Sequence, residues 1–539
     1  MKFSSDALIP PTRRNHYSIK CLLVVADFKK ITVFLIIGAV FRKTGMLFTN
    51  FPANDKVKGK KKEAEVSPVK QYKVTFQPGN RVVCVPGGTT VQQAQSLAGI
   101  RTDAPCGGRG TCGKCRVTLE GGEVLACQTV VDRDMEVFIP ETNSYVILDS
   151  GRTVQTRPEG LHDYVLAVDV GTTTLVASLL DGRTGAELAR SGCPNPQGRY
   201  GADVISRLQY ERNEKDGALT RCIRQALTEL AAEAAAKAGI SVEKIGCTAI
   251  AGNTAMHHLL LGLDTEPLVT PPYMPAVSES MERNGARILP NIAGFVGGDT
   301  VACLVATRFD RAEELTLLLD IGTNGELVLG DKYRRMACST AAGPAFEGAN
   351  ISCGMGGAAG AVDHVTRTAD GITYHVIGDG KPQGLCGSGL LDLVAALLEE
   401  GIIEKSGRMK GKSYSLCDGV TLTQKDVREV QLAKAAIRVG IDLLAQQLGV
   451  RVADIRRVYL AGAFGNYMNP DSACRIGMIP AVLRDRIVPI GNGAGEGAKL
   501  CALNREEFEY AGTLARETEF LELAKLPQFQ NRFIEELNF

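Results

Sequence analysis

The sequence predicts a small α+β domain followed by a large two-lobed α/β domain built on a duplicated unit. Three observations carry this. Four cysteines crowd one Gly-rich window early in the folded chain. Two apolar strands about 150 residues apart each run into Asp-Xaa-Gly-Thr. From residue 164 onward, strand and helix patterns alternate, with glycines at the joins.

Length and composition bound the reading. A chain of 539 residues has room for two to four domains. Hydrophobic content of 45% and charged content of 22% are ordinary for a globular protein. A net charge of +1 provides no broad basic field, and the absence of Trp leaves few stacking platforms, so nucleic acid is not an expected partner. Sixteen cysteines are many. Those outside the cluster window, such as Cys247, Cys303, Cys338, Cys474 and Cys501, sit singly in apolar runs and read as small buried hydrophobes in a reducing, cytoplasmic setting.

Residues 1–66 read as an extension expected to be poorly ordered. Ile31 to Phe41 is largely apolar for only 11 residues, between Lys29-Lys30 and Arg42-Lys43. A bilayer span needs roughly 20, so a membrane anchor is disfavoured. A start of the functional chain near Met46 is the other reading. Lys56 to Lys62 is a solvated basic run.

The first domain is expected over 67–147. Tyr72 to Phe76 alternates as a strand, Gln77-Pro-Gly-Asn80 turns, and Arg81 to Val85 returns. Thr90 caps a short helix reaching Ala98, with Val91, Ala94 and Leu97 on one face. Cys115 to Leu119 and Val124 to Cys127 flank a hairpin turn, and Met135 to Ile139 is a last strand. Two strands, a helix, then more strands is a β-grasp order. Between helix and hairpin lie Cys106, Cys112 and Cys115, with Cys127 beyond, spaced C-x5-C-x2-C-x11-C. A [2Fe–2S] cluster takes two thiolates on each iron, and glycines beside them let backbone N–H groups approach the sulfurs. A structural zinc site would more usually show two CxxC-type pairs, and here there is one. The region resembles ferredoxins of the plant and adrenodoxin type, the first gap being closer to adrenodoxin. Arg109 is expected on the exposed loop, where it can meet a redox partner. Cys84 is expected to be packed.

A polar linker is expected over 148–163, and one large domain over 164–539. Val165 to Val170 is an apolar strand that carries Asp169 and runs into Gly171-Thr172-Thr173-Thr174, and Leu175 to Leu180 returns. Glycine and threonine at such a bend turn N–H groups and hydroxyls toward a polyphosphate, and Asp169 can hold hydrated Mg2+. Alone, this is also what a plain hairpin looks like. A second copy narrows the choice: Leu315 to Leu319 leads into Asp320-Ile-Gly322-Thr323-Asn324-Gly325, followed by Leu327 to Leu329. A third strand ends in Ala461-Gly462-Ala463-Phe464, where an adenine can lie against backbone. Together these resemble the phosphate-1, phosphate-2 and adenosine motifs of the ASKHA superfamily. The fold class implied is an α+β β-grasp ferredoxin domain followed by an α/β, duplicated RNase-H-like, actin-like two-lobed ATPase domain. Lobe I would span about 164–295 plus the C-terminal helices, and lobe II about 296–490. Asp169 and Asp320 would be the catalytic carboxylates. Gly384 to Gly389 opens a helix whose N-terminus suits an anion. His257-His258 lacks a spaced metal partner and reads as surface or satisfied histidines.

The combination resembles the reductive activators of corrinoid-dependent methyltransferases, from about Val69 onward. Gly297-Gly-Asp-Thr300, Gly343-Pro-Ala-Phe-Glu-Gly348 and Ala461 to Pro470 are similar to that family's ATPase half. Some relatives carry a further domain between the two halves, whereas this chain has only a short linker. The resemblance implies a partner corrinoid protein whose Co(II) is returned to Co(I) with ATP, an external low-potential electron donor, and compatibility with a homodimer. Two alternatives stand beside it: an activator of another low-potential metalloenzyme, and an ASKHA small-molecule kinase with a regulatory iron–sulfur cluster.

Overall fold

A computed structural model of the chain describes residues 70–98, 100, 108, 110, 115–139, 157–201, 203–369 and 371–539. The extension at 1–66 lies outside the described residues, as do Cys106, Arg109 and Cys112.

In the first domain, β1 (Gln71–Gln77) pairs antiparallel with β2 (Arg81–Pro86). β3 (Arg116–Leu119), β4 (Gly122–Leu125) and β5 (Met135–Phe138) complete a sheet ordered β2-β1-β5-β3-β4, with β1 and β5 parallel. This is the β-grasp arrangement. The helix Val91–Leu97 starts where Thr90 accepts the Gln93 N–H (3.2 Å) and the Gln93 side chain accepts the Thr90 N–H (2.9 Å). Its Val91 and Ala94 pack with Val74, Phe76, Val117 and Val137, and Cys115 and Cys127 join the same core. Cys84, expected to be packed, is exposed. Strand alternation turns it outward on edge strand β2, while its neighbour Val85 is buried.

The larger part repeats one unit. β6 (Tyr164–Val170), β7 (Thr174–Asp181) and β8 (Glu187–Pro194) form an antiparallel meander. β9 (Ile245–Gly252) joins parallel to β6, β10 (Met281–Arg283) forms an edge, and β11 (Ala286–Ile288) runs parallel to β9. The second copy begins with the meander β12 (Thr316–Ile321), β13 (Gly325–Gly330) and β14 (Arg335–Thr340). A small sheet of β15 (Ala361–Thr368), β16 (Gly371–Val376) and β17 (Gly384–Leu385), then a hairpin of β18 (Ser413–Cys417) and β19 (Val420–Thr423), are inserted. β20 (Arg457–Ala461) then joins parallel to β12, β21 (Ile487–Gly491) parallel to β20, and β22 (Thr518–Phe520) beside β14. Each copy also lays a long helix over its meander: Ala218–Lys237 on β7 and β8, Gln424–Leu448 on β13 and β14. The result is the duplicated RNase-H-like fold. Central strands such as β12 are buried along nearly their whole length because helices cover both faces.

Between the two sheets lies a shared layer. The helices Gly298–Thr307 and Gly493–Leu503 pack on each other. A Cβ at Gly497 would stand 2.0 Å from the Ala302 carbonyl oxygen, so only glycine permits this approach. Val301, Leu304 and Val305 share one core with Val165 and Ala249 of the first sheet and Leu318, Val328 and Tyr459 of the second. The lobe boundary expected at 295/296 thus falls just ahead of a helix that both sheets use. Of the C-terminal helices assigned to lobe I, Gly493–Leu503 and Arg505–Glu517 pack in this layer, whereas Phe529–Glu535 lies on Gln424–Leu448 of the second copy. Among the described residues no helix is long and apolar enough to cross a membrane.

Candidate functional site

The two hairpins β6–β7 and β12–β13 have related turns of unequal length, the first closing on the pair Val170–Leu175 and the second, one residue shorter, on Ile321–Gly325. The Gly171 N–H donates to the Thr174 carbonyl at 3.0 Å, and the Gly322 N–H to the Asn324 carbonyl at 2.9 Å. Each glycine N–H is therefore spent on its own loop, and Thr172, Thr173, Thr323 and Asn324 form the tips. Gly325, grouped with these in sequence, is buried, and a Cβ there would stand 2.7 Å from the Thr340 hydroxyl. It is small for packing.

Asp169 and Asp320 occupy matching positions at the strand ends. The Asn492 amide donates to Asp169 at 3.0 Å. Asn492 follows β21 of the second sheet, so this bond joins the lobes. The Cys303 thiol lies 3.7 Å from Asp320. Both carboxylates keep some accessible surface yet are surrounded deeply enough that burial dominates. Burial pushes Asp169 up to about 7, with the Asn492 donor opposing and the Asp299 charge adding. Burial, then the Asp299 and Asp169 charges, pushes Asp320 up to about 7. Asp299, on the Gly298–Thr307 helix, is itself raised to about 6 by burial, against the Thr300 N–H. Glu326 is raised well above the usual range by burial and by Asp299 and Asp320. Asp169, Asp299, Asp320 and Glu326 thus act on one another through charge, a setting that a cation would relieve.

Other groups come from distant segments. The Asn253 amide donates to the Thr172 hydroxyl at 2.9 Å, while its oxygen caps the Thr254–Leu261 helix. Thr173 and Thr323 both donate to Glu347. None of Asn253, Glu347 or Asn492 stands out in sequence as a site residue. One shared signal exists: Gly252-Asn253 and Gly491-Asn492 are the same dipeptide between a strand and a helix.

The adenosine segment gives a mixed outcome. Gly462 has φ +85, and a Cβ would stand 2.9 Å from an Asp320 carboxylate oxygen, so its backbone can pass close to β12 only as glycine. Ala463 follows in the helix Gly462–Tyr467. Phe464 departs from the expected role: it is buried and stacked on Phe346, ring centroids 4.5 Å apart. Its ring serves packing, leaving only backbone to face a ligand. The anion site expected at 384–389 is likewise closed. The helix starts at Gly387, where a Cβ would stand 2.0 Å from the Phe346 carbonyl oxygen. His257 and His258 are buried. His258 bonds the Thr254 carbonyl and accepts the Ala276 N–H at 2.8 Å, whereas Nε2 of His257 has no partner among the described residues.

In the first domain, Cys115 and Cys127 are brought into one core, and the Gln128 amide lies 3.5 Å from the Cys127 sulfur and 2.8 Å from the Gly108 carbonyl. Two recessed thiols, a side-chain amide aimed at one sulfur and glycines at 108 and 110 with positive φ suit a thiolate-held cluster.

Comparison with known proteins agrees with this geometry. Residues 74–138 match the family of 2Fe-2S iron-sulfur cluster binding domains, 164–312 the RACo middle region, and 314–539 the C-terminal domain of RACo, the ASKHA domain. The corrinoid activation enzyme RamQ of Eubacterium limosum is 31% identical, over 81% of this chain and 94% of its own length. A Methanosarcina barkeri protein named [Co(II) methylated amine-specific corrinoid protein] reductase is 29% identical over 46% of this chain and 51% of its own. The solved structure of a reductive activator for corrinoid, iron-sulfur protein superposes with a TM-score of 0.64 at 28% identity, covering 87% of this chain and 98% of that one. With a cluster domain, a RACo middle region and the RACo ASKHA domain in succession, and RamQ 31% identical over most of both chains, the chain belongs to the family of reductive activators of corrinoid proteins.

Proposed function

We propose that this protein is an ATP-dependent reductive activator that passes one electron to the Co(II) corrinoid of a partner methyl-transfer protein, restoring Co(I). The observation that carries this is the pairing, in one chain, of a thiolate-bearing β-grasp domain with a duplicated unit whose strand-end carboxylates, Asp169 and Asp320, lie within reach of each other's charge. Cys106, Cys112, Cys115 and Cys127 would hold a [2Fe–2S] cluster, which when bound supplies one low-potential electron drawn from an external donor. The Gln128 amide would stabilise negative charge on the Cys127 sulfur.

In the cleft, Thr172, Thr173, Thr174, Thr323 and Asn324 would face the phosphates, and the backbone from Gly462 to Phe464 the adenosine. Among the described residues no three His, Cys, Asp or Glu side chains gather as a metal-binding group. Hydrated Mg2+ would be held by Asp169 and Asp320, whose mutual repulsion it would relieve. The asparagines at 253 and 492 orient the Thr172 hydroxyl and the Asp169 carboxylate for that task.

The energetics fit. Clusters of plant type lie near −400 mV, so delivery to a corrinoid of lower potential is uphill. Each ~59 mV costs about 1.4 kcal/mol for one electron. A gap of roughly one to two hundred millivolts is a few kcal/mol, within what differential partner binding by two lobe arrangements supplies. The test is direct: protein, reductant, ATP and Mg2+ added to the Co(II) partner should bring up the Co(I) absorbance. Equal reactivation without nucleotide would overturn the proposal.

A further inference from the structure

One carboxylate joins the two phosphate hairpins. Glu347 follows β14 in the second copy, on a single short turn, Pro344–Glu347. Its Oε2 accepts from the Thr323 hydroxyl at 2.9 Å and from the Thr173 hydroxyl at 3.2 Å. Thr323 belongs to the second hairpin and Thr173 to the first, so a single oxygen bridges both lobes at the loop tips. Each hydroxyl has one proton to donate, and both are committed to this oxygen.

A second group completes the arrangement. Arg207, on the helix Val204–Glu214, is only 2% exposed. Its Nε donates to the Gly201 carbonyl at 2.9 Å, and Nη1 meets the Met256 sulfur at 3.8 Å. Among the described residues no carboxylate lies within ion-pair distance of it. A buried guanidinium with neutral contacts alone is costly. Burial lowers its pKa to about 10, while the charges of Cys222, Asp203 and Glu347 act the other way. Glu347 in turn is raised by burial and lowered by its two threonine donors and by Arg207. Burial prevails, so the Glu347 carboxyl stands above its usual range, while the guanidinium biases this corner toward the charged form and Glu347 is the carboxylate already built in there.

Resting on the nucleotide reading above, we propose that the Glu347 carboxylate and the terminal phosphate of ATP compete for one subsite, formed by the Thr173 and Thr323 hydroxyls in the field of Arg207. Glu347 is then a positioning residue. It ties the loops together when the subsite holds no phosphate, and it must yield its two donors when a triphosphate enters. ADP, one phosphate shorter, leaves the bridge in place. The cleft therefore distinguishes ATP from ADP partly by the cost of displacing its own carboxylate.

Calorimetric titration of the full-length protein with MgATP and with MgADP tests this. Glu347→Gln removes the competing charge, and it should tighten ATP about tenfold while moving ADP less than about twofold, widening their affinity ratio. Glu347→Asp, one methylene shorter, cannot reach both hydroxyls and should widen the ratio about threefold; it serves if the glutamine variant fails to fold. Arg207→Met should weaken ATP more than ADP. A ratio left unchanged by both Glu347 variants, or ATP weakened by them, overturns the proposal while the wild-type protein still binds nucleotide. A wild-type protein without affinity for either nucleotide would instead remove the function on which it rests.

Discussion

The two hairpins each place an aspartate one residue before the end of the first strand, yet they are held differently. The first is tied by amides: Asn195 donates to the Gly171 carbonyl at 2.8 Å, Asn253 to Thr172 and Asn492 to Asp169. The second is surrounded by acids. Asp320 has a thiol at 3.7 Å, Asp299 and Glu326 nearby in charge, and the Gly462 backbone pressed against it. Duplication supplied the same strand-end aspartate twice, and the neighbours gave the two copies different surroundings. The Asn492 amide lowers the cost of keeping Asp169 ionised, whereas at Asp320 the weaker Cys303 thiol works against the added charges of Asp299 and Asp169.

The strongest way to break that contrast is to neutralise each aspartate. Asp169→Asn and Asp320→Asn should each slow ATP-dependent Co(I) formation by about 10²–10³-fold, as loss of a preorganised charge does. Stability should separate them. Each carboxyl has a folded-state pKa of about 7 against an ordinary 3.8. A raised carboxyl protonates more readily in the fold, so ionising it destabilises the fold increasingly as pH rises from about 4 to 7. Above pH 7 the penalty is complete. At pH 8, without nucleotide, Asp320→Asn should gain about 1–3 kcal/mol and Asp169→Asn less, because only Asp169 has an amide donor to lose. Thermal melts at pH 8 and pH 4.5 would check this. An equal or larger gain for Asp169→Asn would erase the proposed asymmetry.

A smaller perturbation sharpens the same point. Asn492→Ala removes the amide from Asp169 and leaves Asp320 untouched. Hydrogen bonds to charged groups are worth about 1.5–3 kcal/mol, so MgATP should bind roughly ten- to a hundredfold more weakly. Its loss also cuts one tie between the lobes. Titration of the variant with MgATP that leaves affinity within twofold of wild type would show that Asn492 caps its helix and does nothing more.

Much of this was legible in sequence because the signals are local. An apolar run ended by Asp-Xaa-Gly-Thr states both the strand and its turn, and its second appearance at Asp320 states the duplication. Thr90 announced a helix start that the structure has. What stayed hidden comes from chain-distant residues. Asn492 meets Asp169 across 323 positions, and Glu347 meets Thr173 across 174. No spacing rule links such pairs. Phe464 misled for a different reason. The segment beside a ligand is also the segment that packs the lobe, and whether a ring faces cleft or core depends on Phe346, which no pattern places opposite it. The close fit of Gly387 under Phe346 closed the neighbouring helix end in the same way.

The smallest expected effect lies behind the first hairpin. The helix that Asn253 caps carries His257, while its counterpart after β20, Gly462–Tyr467, carries no histidine. Burial, then the His258 charge, lowers His257 from 6.5 to about 3. The folded protein therefore holds this imidazole neutral where the unfolded chain would protonate it. Its contribution to stability is complete above pH 6.5 and is lost as pH falls from 6.5 toward 3. Each such group steepens the acid limb by at most about 1.4 kcal/mol per pH unit. His257→Gln keeps a polar side chain beside the Asn291 amide, 3.2 Å away in the native protein, and removes the titration. Melts between pH 7 and pH 5 should then fall less steeply for the variant than for the wild type. Parallel slopes would mean that the acid sensitivity of lobe I arises elsewhere, with the neighbouring His258, also lowered by burial, as the next group to replace.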